Sequence, residues 1–406
     1  STIDAAPDGK GVFVYRSGGY TGAVDYAGTR LRWNYAADGY NFYAGAVVTV
    51  SVHAIEMVYV PQGAFWAGNV NGDLSGSFRA QGDANAPVNI TNANAFTIYW
   101  GGGAGTPASV PATFPNGYNA FYCMKYELTQ WQYVSFLNEL TRVQQNNRTA
   151  SQTATNFAMS AQSTPWYRNG IRCPAVIPGA PTSIAFGCDG DNNGTFNGPN
   201  DGQNYACNYL SWGDGIAYAD WAGLRPMTEL EYEKACRGPV YPPWGDEYAW
   251  GDNMIVEITS ESGTPGSGTE VSGTSGAYCQ YRYYIGIYPT RAGIFATVNS
   301  TRREAGATFW GLMEMGGNVA ERCVTVGNSS GLAFTGVHGD GQLTSAGDAD
   351  SFAMTWPLAD GVGAGCKGMP WNGAVDFVKT ANRYYAANTD ATRDVRWGWR
   401  GVRTVP

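Results

Sequence analysis

The stretch CNYLSWGDGIAYADWAGLRPMTELEYEKACRG, residues 207–238, contains the clearest fold signals in the chain. Ser211 is followed three residues later by Asp214, and Thr228 is followed three residues later by Glu231. This is the spacing of a capping box, in which a hydroxyl and an acidic side chain bind the free N–H groups at a helix start. The stretch therefore predicts two short helices, the second of which begins after a Pro-containing turn.

An apolar face predicts an earlier helix. Thr129 is a capping residue type, and it precedes Val134, Leu137 and Leu140, which fall on one side of a helix. Together with the two helices above, this segment indicates a domain with few helices.

The first part of the chain has the alternation and β-branched content of strands. The segments are GVFVYRSG at 11–18, TRLRWNY at 29–35 and AVVTVSVHAIEMVYV at 46–60, separated by Gly, Asp and Asn turns. We predict a small β module over residues 1–55 and a main domain over residues 56–406.

Composition indicates an exported, loop-rich α+β protein. Charged residues make up 14% of the chain and aromatic residues another 14%, and there are 55 glycines. Residues 68–95 and 101–117, rich in Gly, Asn, Ala and Pro, are predicted to be long surface loops. The net charge of −8 argues against nucleic acid as a partner. No apolar run reaches the roughly 18 residues that a membrane span needs.

The cysteines give a prediction about redox state. No pair has CxxC spacing, and an even number in an exported chain favours disulfides, with buried free thiols as the alternative. The eight are Cys123, Cys173, Cys188, Cys207, Cys236, Cys279, Cys323 and Cys366.

Six segments between residues 57 and 406 follow a known order. They are MVYVPQGAFWAGN (57–69), FYCMKYELTQWQYVSFLN (121–138), residues 207–238 quoted above, WGDEYAWGDN (244–253), WGLMEMGGNVAER (310–322) and NRYYAANTDATRDVRWGWRGVR (382–403). Together they resemble the formylglycine-generating enzyme, or sulfatase-modifying factor, family. The resemblance implies a C-type-lectin-like α+β fold for this part of the chain and does not include residues 1–55.

The same resemblance predicts that the chain is a pseudo-enzyme. Active members bind copper with two cysteines five residues apart, the second directly before an Asn-Arg-Tyr motif, and Cu(I) prefers such soft thiolate ligands. Here the motif is residues 382–384, Ala381 stands at the second cysteine position and Asp376 at the first. Cys366 is the one cysteine near them in sequence, and a single thiolate does not make this site. We therefore expect no copper and no oxidase activity.

A calcium site is predicted in CDGDNNGTFNGPNDGQ, residues 188–203. Oxygen-bearing side chains occupy the first, third and fifth positions of a calcium loop, and Gly194 supplies the sharp turn. The twelfth position is Asn200 instead of Glu, and an aspartate follows it. The alternative is a metal-free turn held by Asn and Asp side chains. The candidate ligands are Asp189, Asp191, Asn193, Asp201 and the carbonyl of Thr195.

The resemblance implies a second calcium site at the turn EMGGNVAE. Carried over to this chain, Glu314 and Glu321 would supply side-chain oxygens, and Gly317 and Val319 would supply carbonyls. The alternative is that both carboxylates accept backbone N–H groups within the core.

The last quarter of the chain also holds candidate ligand-surface residues. His338 lies in the polar segment GVHGDGQ, and Trp356 and Trp371 are candidates for exposed rings that stack on a sugar or contact a partner. Trp397 and Trp399 alternate as a buried strand would, and we expect both in the core.

Three functions remain open from the sequence. The first is a non-catalytic, secreted homo-oligomeric or filament subunit on a bacterial cell surface, stabilised by calcium. The second is a monomeric adhesin or carbohydrate-binding protein that uses the aromatic C-terminal region. The third is a divergent formylglycine-generating-type oxidase. Low charge density favours the first, because it weakens the repulsion that keeps copies apart.

Overall fold

The computed structural model describes residues 2–6, 9, 11–15, 28–36, 39–43, 45–72, 75–101, 105–242, 245–282, 288–350 and 355–405. The chain divides into two compact units, Ser1–Ile55 and Glu56–Val405. Within the described residues, no helix is long and apolar enough to cross a membrane.

Short elements joined by irregular backbone make up the described chain, as expected for a loop-rich α+β protein. The helices are α1 (Gln130–Glu139), α2 (Arg142–Arg148), α3 (Trp212–Trp221), α4 (Glu229–Arg237), α5 (Ser329–Leu332) and the 3₁₀ helix η1 (Val375–Val378). The strands are β1 (Thr2–Ala5), β2 (Val12–Tyr15), β3 (Met57–Val60), β4 (Phe65–Ala67), β5 (Phe78–Arg79), β6 (Val88–Ile90), β7 (Phe96–Trp100), β8 (Thr106–Val110), β9 (Phe121–Met124), β10 (Ile171–Arg172), β11 (Gly187–Cys188), β12 (Arg225–Thr228), β13 (Glu261–Ser262), β14 (Val271–Ser272), β15 (Ala320–Val324), β16 (Ala364–Lys367), β17 (Trp397–Gly398) and β18 (Gly401–Thr404).

The first unit contains a single hairpin among its described residues, in which β1 and β2 pair antiparallel with Thr2 opposite Tyr15. The strands predicted for residues 29–35 and 46–55 are wrong, because the described backbone there runs without a strand partner. The loops predicted for 68–95 and 101–117 are also wrong in part. These stretches contain β5, β6 and β8, and they flank β7.

A seven-stranded sheet organises the second unit. Its order is β16-β15-β12-β18-β9-β3, and β17 pairs with β15. β3 lies at one end of this sheet, with no further strand beside it among the described residues. The sheet brings sequence-distant segments together, since β18 near the C-terminus lies between β12 and β9.

The three predicted helix starts are confirmed. Thr129, Ser211 and Thr228 each cap a helix and each form a reciprocal capping box with the side chain three residues on. The same geometry at Thr141 starts α2, which the sequence analysis did not predict.

Helix α4 ties the second unit together through buried charges. Glu231 pairs with Arg225, and Glu233 accepts a hydrogen bond from the Lys367 ammonium at 3.1 Å. Arg237 at the helix end pairs with Glu247. Each charge is buried together with its partner, which is the condition under which a buried ion is tolerated. The helix thus fixes β12, β16 and the loop after the helix to one another.

The cysteines lie in the core without disulfides. All eight belong to the described residues, and all are free and buried, so the disulfides expected from their even number are wrong. Burial raises the pKa of Cys123 and Cys173 to about 12. These thiols pack as small apolar side chains.

Candidate functional site

The two positions of the missing copper ligands lie in different surroundings. Asp376, in η1, is exposed, and its Oδ1 accepts a hydrogen bond from Lys379 Nζ at 2.7 Å. Ala381 is buried and offers no ligand atom. Cys366, on β16, is buried, and burial raises the pKa of its thiol to about 11 despite the nearby Arg322 guanidinium. It lines a cavity of about 10 Å³ with Asn382, room for about one water molecule.

The Asn-Arg-Tyr motif holds the fold together at this place. Arg383 donates two hydrogen bonds to Glu229 and lies 4.2 Å above the ring of Phe78. Burial acts to raise the pKa of Glu229, but the charge and hydrogen bonds of Arg383, together with Lys367 and the Val326 N–H, hold that pKa below its ordinary value. Asn382 Oδ1 accepts the backbone N–H of Tyr384 at 3.0 Å. The first two side chains of the motif are therefore satisfied within the protein.

The turn EMGGNVAE lies among buried carboxylates. Both Glu314 oxygens accept the N–H of Gly293, and Glu321 Oε1 accepts from Arg400 Nη2 at 3.0 Å. Glu127, which the sequence analysis missed, accepts the N–H of Val319 at 2.9 Å. Gly317 has φ +91°, and a Cβ there would lie 2.2 Å from the Gln280 carbonyl oxygen, so the turn requires glycine. Three carboxylates thus lie near the Arg400 guanidinium in the core, and the charge of Arg291 also acts on Glu314.

The three carboxylates of this group carry more negative charge than the two guanidiniums near them neutralise. Burial raises the pKa of Glu314 and of Glu321 to about 7. The pKa of Glu127 is raised well above its ordinary value by burial and by the two other carboxylates. Glu321 Oε2 is buried and has no hydrogen-bond donor. Hard oxygen donors with an unpaired buried oxygen fit a calcium ion, as the resemblance implies.

The predicted loop after β11 brings three carboxylates together. One oxygen from each of Asp189, Asp191 and Asp201 lies within 4.8 Å of the others. Asp189 also pairs with Arg172. The Asn193 side chain holds the turn, because its Oδ1 accepts the N–H of Thr195 at 2.7 Å.

A second acidic group was not anticipated. One carboxylate oxygen from each of Asp220 in α3, Asp340 and Asp350 lies within 4.8 Å of the other two. The two oxygens of Asp220 accept the backbone N–H groups of Asp340 and Asp350, each at 3.0 Å. Burial raises the pKa of Asp220 to about 7, although both N–H donors oppose the shift. Asp220 therefore anchors the loop that contains its two neighbours.

The candidate ligand-surface residues do not form an exposed patch. Trp356 and Trp371 are buried, and their indole N–H groups donate to the carbonyls of Val337 and Val395, so their prediction as open rings is wrong. His338 lines a cavity of about 260 Å³, where its Nε2 accepts the N–H of Thr404 at 2.8 Å. Trp397 and Trp399 are buried, as expected.

Several strongly exposed apolar side chains lie in the first unit. Residues 47–52, VVTVSV, run without secondary structure, and the exposed fractions of Val47, Val50 and Val52 are 97%, 66% and 76%. Trp33 and Tyr40 in the same unit are also exposed, and their ring centroids are 5.4 Å apart. An apolar strand-like segment is thus exposed to water among the described residues.

Comparison with known proteins identifies one family over most of the chain. The sulfatase-modifying factor enzyme 1-like domain matches residues 44–405. The formylglycine-generating enzyme of Thermomonospora curvata is 37% identical over 79 residues, which cover 16% of this chain and 26% of the relative. The enzyme of Mus musculus is 36% identical over 77 residues, which cover 16% of this chain and 21% of the relative.

These matches span about a quarter or less of the relatives' own length. The enzyme of Streptomyces coelicolor is 47% identical over 51 residues, or 13% of this chain and 15% of the relative. Among solved structures, PvdO from Pseudomonas aeruginosa is similar with 18% identity and a TM-score of 0.38, covering 86% of this chain and 94% of that protein.

Proposed function

The chain belongs to the sulfatase-modifying factor enzyme family, and we propose that it is a non-catalytic, secreted member that assembles with copies of itself on a bacterial cell surface. The proposal joins two independent features of the chain. One is the chemistry at the positions of the family's copper ligands, and the other is an exposed strand-like segment.

The residue types at the copper positions support the loss of activity. Asp376 offers a hard carboxylate that is already paired with Lys379, and Ala381 offers nothing. Cys366 is buried with a raised pKa, so its thiolate form is disfavoured at neutral pH. Copper(I) oxidation chemistry needs soft, deprotonated ligands, and these three side chains do not supply a pair of them.

The exposed segment 47–52 is the observation that carries the assembly proposal. Val48, Val50 and Val52 recur at every second residue, so in an extended backbone they project to one side, while Thr49 and Ser51 project to the other. This pattern is typical of a strand with one buried face, yet the described chain provides no strand beside it. A neighbouring copy can bury this face and pair the backbone.

The outer edge of β3 is a suitable acceptor on that neighbour. β3 ends the seven-stranded sheet, and its inner side pairs with β9. Exposed strand edges readily accept another strand. Because the donor segment and the acceptor edge are different surfaces, copies can join head-to-tail, and repeated contacts of this kind give a filament or a ring.

Calcium fits this function as a stabiliser of the subunit. Glu314 and Glu321, with the carbonyls of Gly317 and Val319, would hold the ion and reduce the charge imbalance around Glu127. An ion that binds only the folded chain stabilises it by mass action.

Carbohydrate binding is the second candidate, and one observation favours it. Exposed Trp33, Tyr35 and Tyr40 lie edge to face in the first unit, and aromatic rings of this kind can stack on sugars. The buried positions of Trp356 and Trp371 make these two rings unavailable for sugar binding by the C-terminal region.

Assembly is tested by sedimentation velocity of the full chain over a range of concentrations in calcium. We expect the sedimentation coefficient of the wild type and of Thr49→Lys to increase with concentration, and Val50→Lys to remain monomeric. Both substituted side chains are exposed in the single chain, so neither should change its fold. A wild type that stays monomeric at high concentration, or equal behaviour of the two variants, would contradict the proposal and favour the sugar-binding candidate.

A further inference from the structure

We propose that the loop from Asp189 to Asp201 is a calcium site, with Asp189, Asp191 and Asp201 as its carboxylate ligands. This site is separate from the carboxylates around Glu321 and does not depend on the assembly proposed above.

The backbone of the loop closes on itself and brings the three carboxylates together. Asn197 donates its N–H to the Cys188 carbonyl at 2.8 Å, and its Oδ1 accepts the N–H of Cys188 at 3.0 Å. Gly190 donates its N–H to the carbonyl of Asp201 at 3.2 Å. A Cβ at Gly190 would lie 2.8 Å from that carbonyl oxygen, so the close approach of the two ends requires glycine.

Asp201 provides an independent indication of a ligand. Its side chain is completely buried, and its Oδ2 accepts the N–H of Gly198 at 2.5 Å. Its Oδ1 is also buried and has no donor in hydrogen-bond geometry, although the N–H of Asp191 also acts on this carboxylate. Buried polar atoms are almost always satisfied, and an exception in a native structure commonly marks a bound water or ion. Because this carboxylate belongs to the acidic group, a cation there supplies the missing partner.

The charge of the group matches a divalent ion. Asp189 is paired with the Arg172 guanidinium, which is held in place by the Thr155 carbonyl and the Phe157 ring. Three carboxylates and one guanidinium leave two negative charges. Calcium has two positive charges and takes oxygen ligands in a flexible arrangement. Asp191 is exposed, so water can complete the coordination.

The group around Asp220 provides a matched comparison. It also contains three aspartates, but both oxygens of its buried member accept backbone N–H groups. Asp340 Oδ1 accepts the N–H of Gln342 at 2.8 Å, just as Asp191 Oδ1 accepts the N–H of Asn193 at 3.1 Å. Asparagine keeps that acceptor oxygen at either position and removes the charge. Asp340→Asn is therefore the control for Asp191→Asn.

The test is calorimetric titration of calcium chloride into the EDTA-treated full chain, carried out in the Val50→Lys background so that self-assembly does not interfere. We expect Asp191→Asn to lose one equivalent of calcium, or to bind it roughly tenfold or more weakly, and Asp340→Asn to bind as the parent does. Equal binding by the parent and Asp191→Asn would overturn the proposal.

Thermal melting distinguishes a role of Asp191 as a calcium ligand from a role in holding the turn. We expect calcium to raise the Tm of the parent by several degrees more than that of Asp191→Asn. In EDTA, Asp191→Asn loses the hydrogen bond from Asn193 Nδ2 to Asp191 Oδ2 but also one of three crowded negative charges, so its Tm should stay close to the parent's. A variant that is destabilised equally with and without calcium would show a purely structural role for Asp191 and overturn the proposal.

Discussion

Arg383 and Glu229 form a buried ion pair with two hydrogen bonds, Nε to Oε2 at 2.6 Å and Nη2 to Oε1 at 2.9 Å. The pair joins the Asn-Arg-Tyr motif to the first residue of α4. Glu229 also accepts the hydroxyl of Thr325 and the N–H of Val326. Part of a motif that flanks the copper ligands in active relatives therefore has a structural role in this chain.

Glu229→Gln should lower the free energy of unfolding by about 3–5 kcal/mol, because it leaves the Arg383 charge buried without its partner. Denaturant-induced unfolding measures this difference. Asp376→Asn is the matched control, since it removes an ion pair with Lys379 whose carboxylate is exposed, and it should cost about 1 kcal/mol or less. Equal effects of the two substitutions would contradict this role of the Arg383–Glu229 pair.

The thiols should react only after unfolding. Burial raises the pKa of Cys366 to about 11 and of Cys123 and Cys173 to about 12, so little thiolate is present at neutral pH. We expect a thiol reagent to label the native chain very slowly and to label all eight cysteines in denaturant without prior reduction. Labelling of fewer thiols, with the remainder released by a reductant, would show disulfides.

Stability should fall as the pH rises through the range in which Asp220 ionises. Its pKa is about 7 in the folded chain against an ordinary 3.8, so the folded state holds the proton more tightly. The resulting stability is fully present below about pH 4 and is lost as the pH approaches 7. The raised pKa values of Glu127, Glu314 and Glu321 act in the same direction.

Asp220→Asn isolates the contribution of Asp220. The loss of unfolding free energy between pH 4.5 and 7.5, measured in EDTA, should shrink by about 2 kcal/mol after allowance for solvent screening. Asp360→Asn, at a surface turn, is the control and should leave the pH dependence unchanged. If the free energy of unfolding of Asp220→Asn depended on pH as strongly as that of the wild type, Asp220 would not be the source of the pH dependence.

The wild-type chain should neither bind copper(I) tightly nor convert the cysteine of a sulfatase-type peptide, because Asp376 and Ala381 do not supply thiolates. Competition with a copper(I) chelator and mass spectrometry of the peptide measure the two properties. Asp376→Cys combined with Ala381→Cys is the positive control for copper uptake. Stoichiometric uptake by the wild type, with oxygen-dependent turnover, would support the oxidase alternative.

Local side-chain chemistry accounts for the parts of the fold that the sequence predicted correctly. Thr129, Ser211 and Thr228 start helices through hydrogen bonds to residues within one turn, so their signal lies in a few neighbouring letters. Thr141 and Gln144 carry the same signal at α2 and were overlooked. The resemblance supplied the fold of the second unit, because its motifs extend along the whole unit.

The incorrect predictions concern features that depend on distant partners. Residues 46–55 have a strand pattern, but a strand forms only when another backbone lies beside it. Trp356 and Trp371 lie among Gly and Asp and were expected at the surface, yet both are buried, and Trp371 packs against Tyr167 and Tyr288 from segments remote in sequence. Glu127 and Arg400 offered a weak signal, a charged residue among aromatic and apolar neighbours, from which a buried charge could have been suspected.

Hydrogen exchange at the backbone amides of residues 47–52 tests the central claim most directly. In dilute solution these amides should exchange at nearly the rate of an unstructured chain. At concentrations where sedimentation shows assembly, alternate amides should slow by roughly a hundredfold or more, as strand pairing on a neighbouring copy requires. Assembly without protection of this segment, or rapid exchange at every concentration, would contradict the account.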